Sequence, residues 1–82
     1  MFIIVAVKDR GVDAFMNPFV CQHRNQAVRS FHDEVNRVDS EMHKHPDDYD
    51  LYVLAAFNAQ TGELTALERP ELLVRAKDIL EV

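Results

Sequence analysis

A chain of 82 residues makes a single domain, 1–82, near the small end of what folds without disulfides or metal, and it buries only roughly 60% of its unfolded surface. Its 48% apolar residues are ample for a core, its 28% charged residues favour a soluble chain, and no apolar run approaches the roughly 20 residues that span a bilayer. The net charge of −5 weighs against a generally basic, polyanion-coating protein.

The lone cysteine, Cys21, has no internal partner, so a reducing compartment is expected. Charge is unevenly placed. Residues 1–45 hold six basic residues (Lys8, Arg10, Arg24, Arg29, Arg37, Lys44) and six acidic ones, whereas residues 46–82 hold three basic and eight acidic. Either the fold segregates these halves and gives one face a positive field, or both are ordinary solvated faces.

Met1 to Lys8 is β-branched and apolar at both parities, which predicts a central strand covered on both faces. It lacks a basic flank and a cleavage site, so it reads as a strand and not as a signal peptide. Asp9-Arg10-Gly11 is a turn. Val12 to Cys21 is a second strand broken at Pro18, which has no ladder donor and belongs at an edge or bulge. Asn25 is placed to cap a helix whose apolar stripe is Val28, Phe31, Val35 and Val38.

Asp39 to Pro46 reads as a loop, and Pro46-Asp47-Asp48 as the first turn of a short helix or a tight turn. Leu51 to Phe57 is a second strand apolar at both parities. Asn58 to Gly62 is a hairpin loop in which Gly62 supplies a positive φ, and Glu63 to Glu68 alternates as a half-exposed strand. Arg69-Pro70-Glu71 opens a C-terminal helix with the stripe Leu72, Leu73, Ala76, Ile79 and Leu80. The order is β-β-α-β-β-α, an α+β domain with a mostly antiparallel sheet packed by one amphipathic helix. That helix covers one sheet face. The other must meet the C-terminal helix or a second subunit, and a homodimer is expected.

Catalytic and metal chemistry find little footing. Cys21, His23, His32, His43 and His45 are ligand types, but neither C-x₂₋₄-C nor H-x₃₋₅-H spacing occurs, and surface histidines explain the pattern more simply. Two glycines, Gly11 and Gly62, build no phosphate-cradling loop, and Cys21 has no elbow or oxyanion signature beside it. No enzyme activity, metal or cofactor is expected. Nucleic acid has more support. Arg24 precedes the helix, where free amides favour anions, Arg29 lies a turn inside it, and Lys44, His45 and Tyr49 follow. Against this, Arg29 also suits an ion pair with Asp33, Phe31 is a core residue, Phe15, Phe19 and Tyr52 fit a core as well, and Tyr49 fits a core as readily as a stacking position.

Asn17-Pro18-Phe19, then Ala27-Val28-Arg29-Ser30-Phe31, then Lys44-His45-Pro46-Asp47-Asp48-Tyr49, with Leu51-Tyr52, Phe57 and Thr61-Gly62 behind, form an ordered series over more than half the chain. This series resembles the small nonstructural protein of gokushovirus-type microviruses, which are single-stranded DNA phages. Departures are Asn58-Ala59, where the family tends to have aspartates, and a tail from Arg69 that reads as longer and more helical. The resemblance implies a protein of the host cytoplasm, with no membrane role. It also implies sequence-tolerant and steeply salt-dependent binding of single-stranded DNA, in genome replication or the switch to single-strand synthesis and packaging. By position it marks Arg29, Lys44, His45 and Tyr49 as contacts, and Arg24, Lys8 and Arg10 join them on charge alone. The rival reading is a protein–protein adaptor for the replication initiator, the procapsid or a host factor, working through the acidic second half and the C-terminal apolar stripe. The Lys44–Tyr49 run also has a purely structural reading, with His45 capping the turn and Tyr49 packing inward.

Overall fold

The computed structural model describes residues 1–81 as one antiparallel sheet with its helices gathered on one side. Strands β1 (Phe2–Asp9) and β4 (Tyr49–Phe57) lie in the middle, as their apolar double parity predicts. The short strands β2 (Ala14–Phe15) and β3 (Phe19–Cys21) both pair with the outer side of β1, and the gap between them holds Pro18. Strand β5 (Leu64–Arg75) forms the opposite edge.

Helix α1 (Arg24–Val35) is capped two residues before the expected Asn25. His23 is the N-cap, its Nδ1 accepting from the Gln26 amide at 3.2 Å, while the Gln26 side chain accepts from the Gln22 amide at 2.6 Å. The first contact satisfies a donor that the first turn leaves free, and the second ties down the amide of the residue before the cap. The helix also stops before Val38, which is 75% exposed rather than part of the stripe. Asn36 ends it: its Nδ2 donates to the carbonyls of His32 and Ile79, and its Oδ1 accepts from the Glu81 amide. One polar side chain thus ties the end of α1 to the C-terminal segment. The expected loop after it contains a helical turn, α2 (Glu41–Lys44), capped by Ser40, and Pro46–Asp48 forms a 3-10 turn leading into β4.

The C-terminal helix is far shorter than the sequence suggests. β5 continues to Arg75, and α3 covers only Ala76–Ile79. Leu72-Leu73-Val74 is apolar at every spacing, so helical and strand periods fit it equally. Pairing decides: Glu71, Leu72, Val74 and Arg75 lie opposite Val53, Tyr52, Leu51 and Asp50. Pro70 is tolerated because it sits on an edge strand, where the register skips from Ala66 to Glu71, so no ladder donor is missed there.

The core lies wholly between this sheet and the helices. Val5, Val7, Leu51 and Val53 from the sheet meet Ala27, Phe31, Val35, Met42 and Ala76 from the helical layer, with Cys21 at the β3 end. The chain order therefore places every helix on one side. Among the described residues nothing packs over the other, so β1 and β4 are not covered on both faces as their double parity predicts, and the C-terminal helix joins the same layer as α1.

Candidate nucleic-acid interface

Residues directly opposite one another in an antiparallel sheet share a face, so the registers define the uncovered side as four rows. Phe2, Phe57 and Leu64 form the first, with the Phe2 and Phe57 rings 6.5 Å apart. Val20, Ile4, Ala55 and Ala66 form the second. Ala6, Tyr52 and Leu72 form the third. Phe15, Lys8, Asp50 and Arg75 form the fourth. None of the partly exposed apolar side chains in these rows belongs to the core cluster, and Leu64, Val20 and Phe15 are 61%, 53% and 40% exposed.

The fourth row concentrates the charge. Asp50 is 1% exposed, and its carboxylate accepts from the Arg75 guanidinium at 3.2 Å and lies 3.4 Å from Arg10 Nε. A buried carboxylate needs such partners, because an unpaired one is strongly disfavoured. Arg10 is held further by the Asp47 carbonyl, and its own amide donates to the Asp48 carbonyl at 2.7 Å. Lys8 stands beside them, 5.7 Å from the centre of the Phe15 ring, with the exposed Asp13 at 3.4 Å. Phe15 in turn meets Tyr52 edge-on at 5.5 Å. Two arginines on one buried acid, with the Lys8–Asp13 pair beside them, thus adjoin an aromatic pair on an open face. Phosphate oxygens suit the first, and the faces of unpaired bases suit the second.

Of the residues singled out from sequence, Lys8 and Arg10 come together here. The others lie apart from this face. Arg24 opens α1 and pairs with Glu71 through two hydrogen bonds of 3.0 and 3.2 Å, which hold the Glu71 carboxyl below and the guanidinium above their usual ranges. Lys44 follows the far end of α1, which is about 18 Å long at 1.5 Å per residue, so Arg24 and Lys44 do not converge. Lys44 lies 3.7 Å from Glu41. His45 closes α2 and opens the 3-10 turn through its backbone, its amide donating to the Glu41 carbonyl and its carbonyl accepting from Asp48. Tyr49 packs against the core on the helix side, where burial and the carboxylates of Asp9, Glu41 and Asp48 push its phenol up. Arg29 makes no ion pair with Asp33 and, among the described residues, no ion pair at all; it lines a shallow hollow with Gln22, His23 and Gln26.

Sequence reasoning passed over Arg75, Phe15 and Tyr52. Arg75 fell inside the expected helix, and the two rings suited a core. The available signal was parity: in β1 and β4, Lys8, Asp50 and Tyr52 fall on the alternate positions to the core residues Val7, Leu51 and Val53. Among the described residues no three histidine, cysteine, aspartate or glutamate side chains gather as metal ligands, and no helix is long and apolar enough to cross a membrane.

A family model described as Phage ORF5 protein matches residues 2–79. No curated protein and no solved structure matches the chain.

Proposed function

The chain belongs to the Phage ORF5 protein family, and from that premise we propose that this phage accessory protein binds single-stranded DNA on the uncovered sheet face, at its charged end. Its setting is then the cytoplasm of the host, during genome replication or the switch to single-strand synthesis and packaging in a gokushovirus-type cycle. The observation that carries the reading is the juxtaposition of Lys8, Arg10 and Arg75 with the Phe15–Tyr52 pair, of which Phe15 is exposed and Tyr52 half-buried. Lys8 and the two arginines hold phosphates, and the rings stack on bases without reading their edges, so binding is sequence-tolerant.

The remaining six cations make no broad electrostatic surface: three of them carry acidic partners, as Lys8 does with Asp13 and as Arg10 and Arg75 do with Asp50. Arg24 faces Glu71, Arg37 faces Glu34 and Asp39, and Lys44 faces Glu41. Two or three phosphate contacts give a salt slope of about −1.4 to −2.1 on a log–log plot, so the dependence is shallow rather than steep. Fluorescence anisotropy of a labelled short oligonucleotide, repeated across salt, tests this. Tyr52→Ala and Lys8→Glu are expected to weaken binding, whereas Arg29→Glu and Lys44→Glu leave it within about twofold. Equal loss from the second pair would move the contact back to the helical layer.

A second reading, the protein adaptor, is favoured by the two rows at the other end of the same face, which hold no ionisable side chain. A docked replication initiator, procapsid or host protein is expected to survive high salt, which separates it from DNA.

A further inference from the structure

We propose that the apolar end of the uncovered face is where a second copy of this chain packs, forming a weak two-fold dimer that leaves the charged end of each copy free. The interface is centred on Phe2, Phe57, Leu64, Ile4 and Val20, and it is independent of whether the charged end contacts DNA.

Three observations favour a second copy as the occupant. The first is area. A folded monomer of 9.5 kDa exposes about 5,000 Å², whereas this chain exposes 5471 Å², so about 400 Å² more surface is open than its mass calls for. The molecule measures 42 × 23 × 17 Å, and a 12-residue strand such as β5 extends about 40 Å, so the strands run along its length. A whole side along that axis spans roughly 700–970 Å², so its apolar half offers roughly 350–480 Å² per partner, about half of the roughly 800 Å² in a standard interface. The apolar half alone falls at the low end of interface sizes, which makes the dimer concentration-dependent rather than obligate.

The second observation is charge. The chain carries −5, so any contact through its acidic surface sets like against like. The two apolar rows contain no ionisable side chain and are thus a place where two acidic copies meet without that repulsion. The third is symmetry. A two-fold contact requires one patch to complement itself, and a flat row of Phe, Leu, Ile and Val does so without needing opposite charges on its two halves. Such a contact also removes the exposed Leu64 and Val20 side chains from water.

Sedimentation velocity of the full chain from about 1 μM to about 1 mM tests the proposal, because that range brackets weak protein–protein affinities. The expected result is a reversible monomer–dimer equilibrium that high salt does not weaken. Leu64→Asp places a carboxylate in the contact and is expected to raise the half-dimer concentration at least about tenfold. Val20→Lys serves the same purpose should the first variant lose its fold, and Arg29→Glu, in the helical layer, is the control with unchanged association. A chain that stays monomeric throughout overturns the proposal and hands the face to a different protein. So does a dimer that Arg29→Glu disrupts and Leu64→Asp does not.

Discussion

The two faces of one sheet differ more than the strands that build them. Along β1, Val5 and Val7 point to the helices and are buried against Phe31 and Val35, while Phe2 and Ile4 point the other way and stay partly open. Along β4, Leu51 and Val53 are sealed, whereas Tyr52, Ala55 and Phe57 are not. Both sets are apolar. Composition therefore equips both faces for burial, and the path of the chain covers only one. An apolar strand face that its own chain leaves bare is a surface kept for something else, by the same physics that fills the core.

The contrast predicts unequal penalties for equal chemistry. Phe31→Ala, on the buried side, is expected to cost about 3–5 kcal/mol in urea unfolding, enough to unfold much of a domain with so small a margin. Leu64→Ala, on the open side, is expected to stay within about 0.5 kcal/mol at concentrations where the chain is monomeric. Comparable losses would mean that both faces are covered.

Asp50 sharpens the difference, being a buried acid on the open side. Asp50→Asn keeps the shape but removes the charge that two arginines share, with an expected loss of about 1–3 kcal/mol in the same assay. The freed guanidinium groups should then tighten oligonucleotide binding at low salt. A variant that loses stability without gaining affinity would separate the arginines from DNA contact.

Acid acts on the other layer. The Glu34 carboxyl, bonded by Arg37 and then Ser40, and the Glu71 carboxyl, bonded by Arg24, are both held below the usual glutamate value. Groups depressed by folding add stability that is present above their unfolded pKa of about 4.3 and lost as pH falls through the lower folded values. A melting temperature that declines below about pH 4.5, and declines less in Glu34→Gln, is expected; these exposed pairs make the effect small. Smallest is the signal from Cys21. Burial pushes its thiol up, so labelling by a thiol reagent should be slow in the folded chain and fast in urea.

The central strands were legible as short β-branched runs apolar at both parities between turn residues, and most of α1 as one clear helical period. Gly62, at φ +80°, fills its expected turn. The C-terminal helix was not legible, since Leu72-Leu73-Val74 satisfies two periods and only pairing with β4 decides between them. The same error hid Arg75. Lys8 and Arg10 could be named from charge, but their convergence on Asp50 depends on cross-strand register and on the carbonyls of the 3-10 turn, which lie about 40 positions away in sequence. Tyr49 and Tyr52 show the limit most sharply: three residues apart with the same side chain, they end on opposite faces.

The most direct test of the account is an amide and side-chain NMR titration of the folded chain with a short single-stranded oligonucleotide. Shift changes are expected to centre on Lys8, Phe15, Asp50, Tyr52 and Arg75. Changes confined to Arg24, Arg29 and Lys44 on the helical layer, or none at low salt, would contradict it.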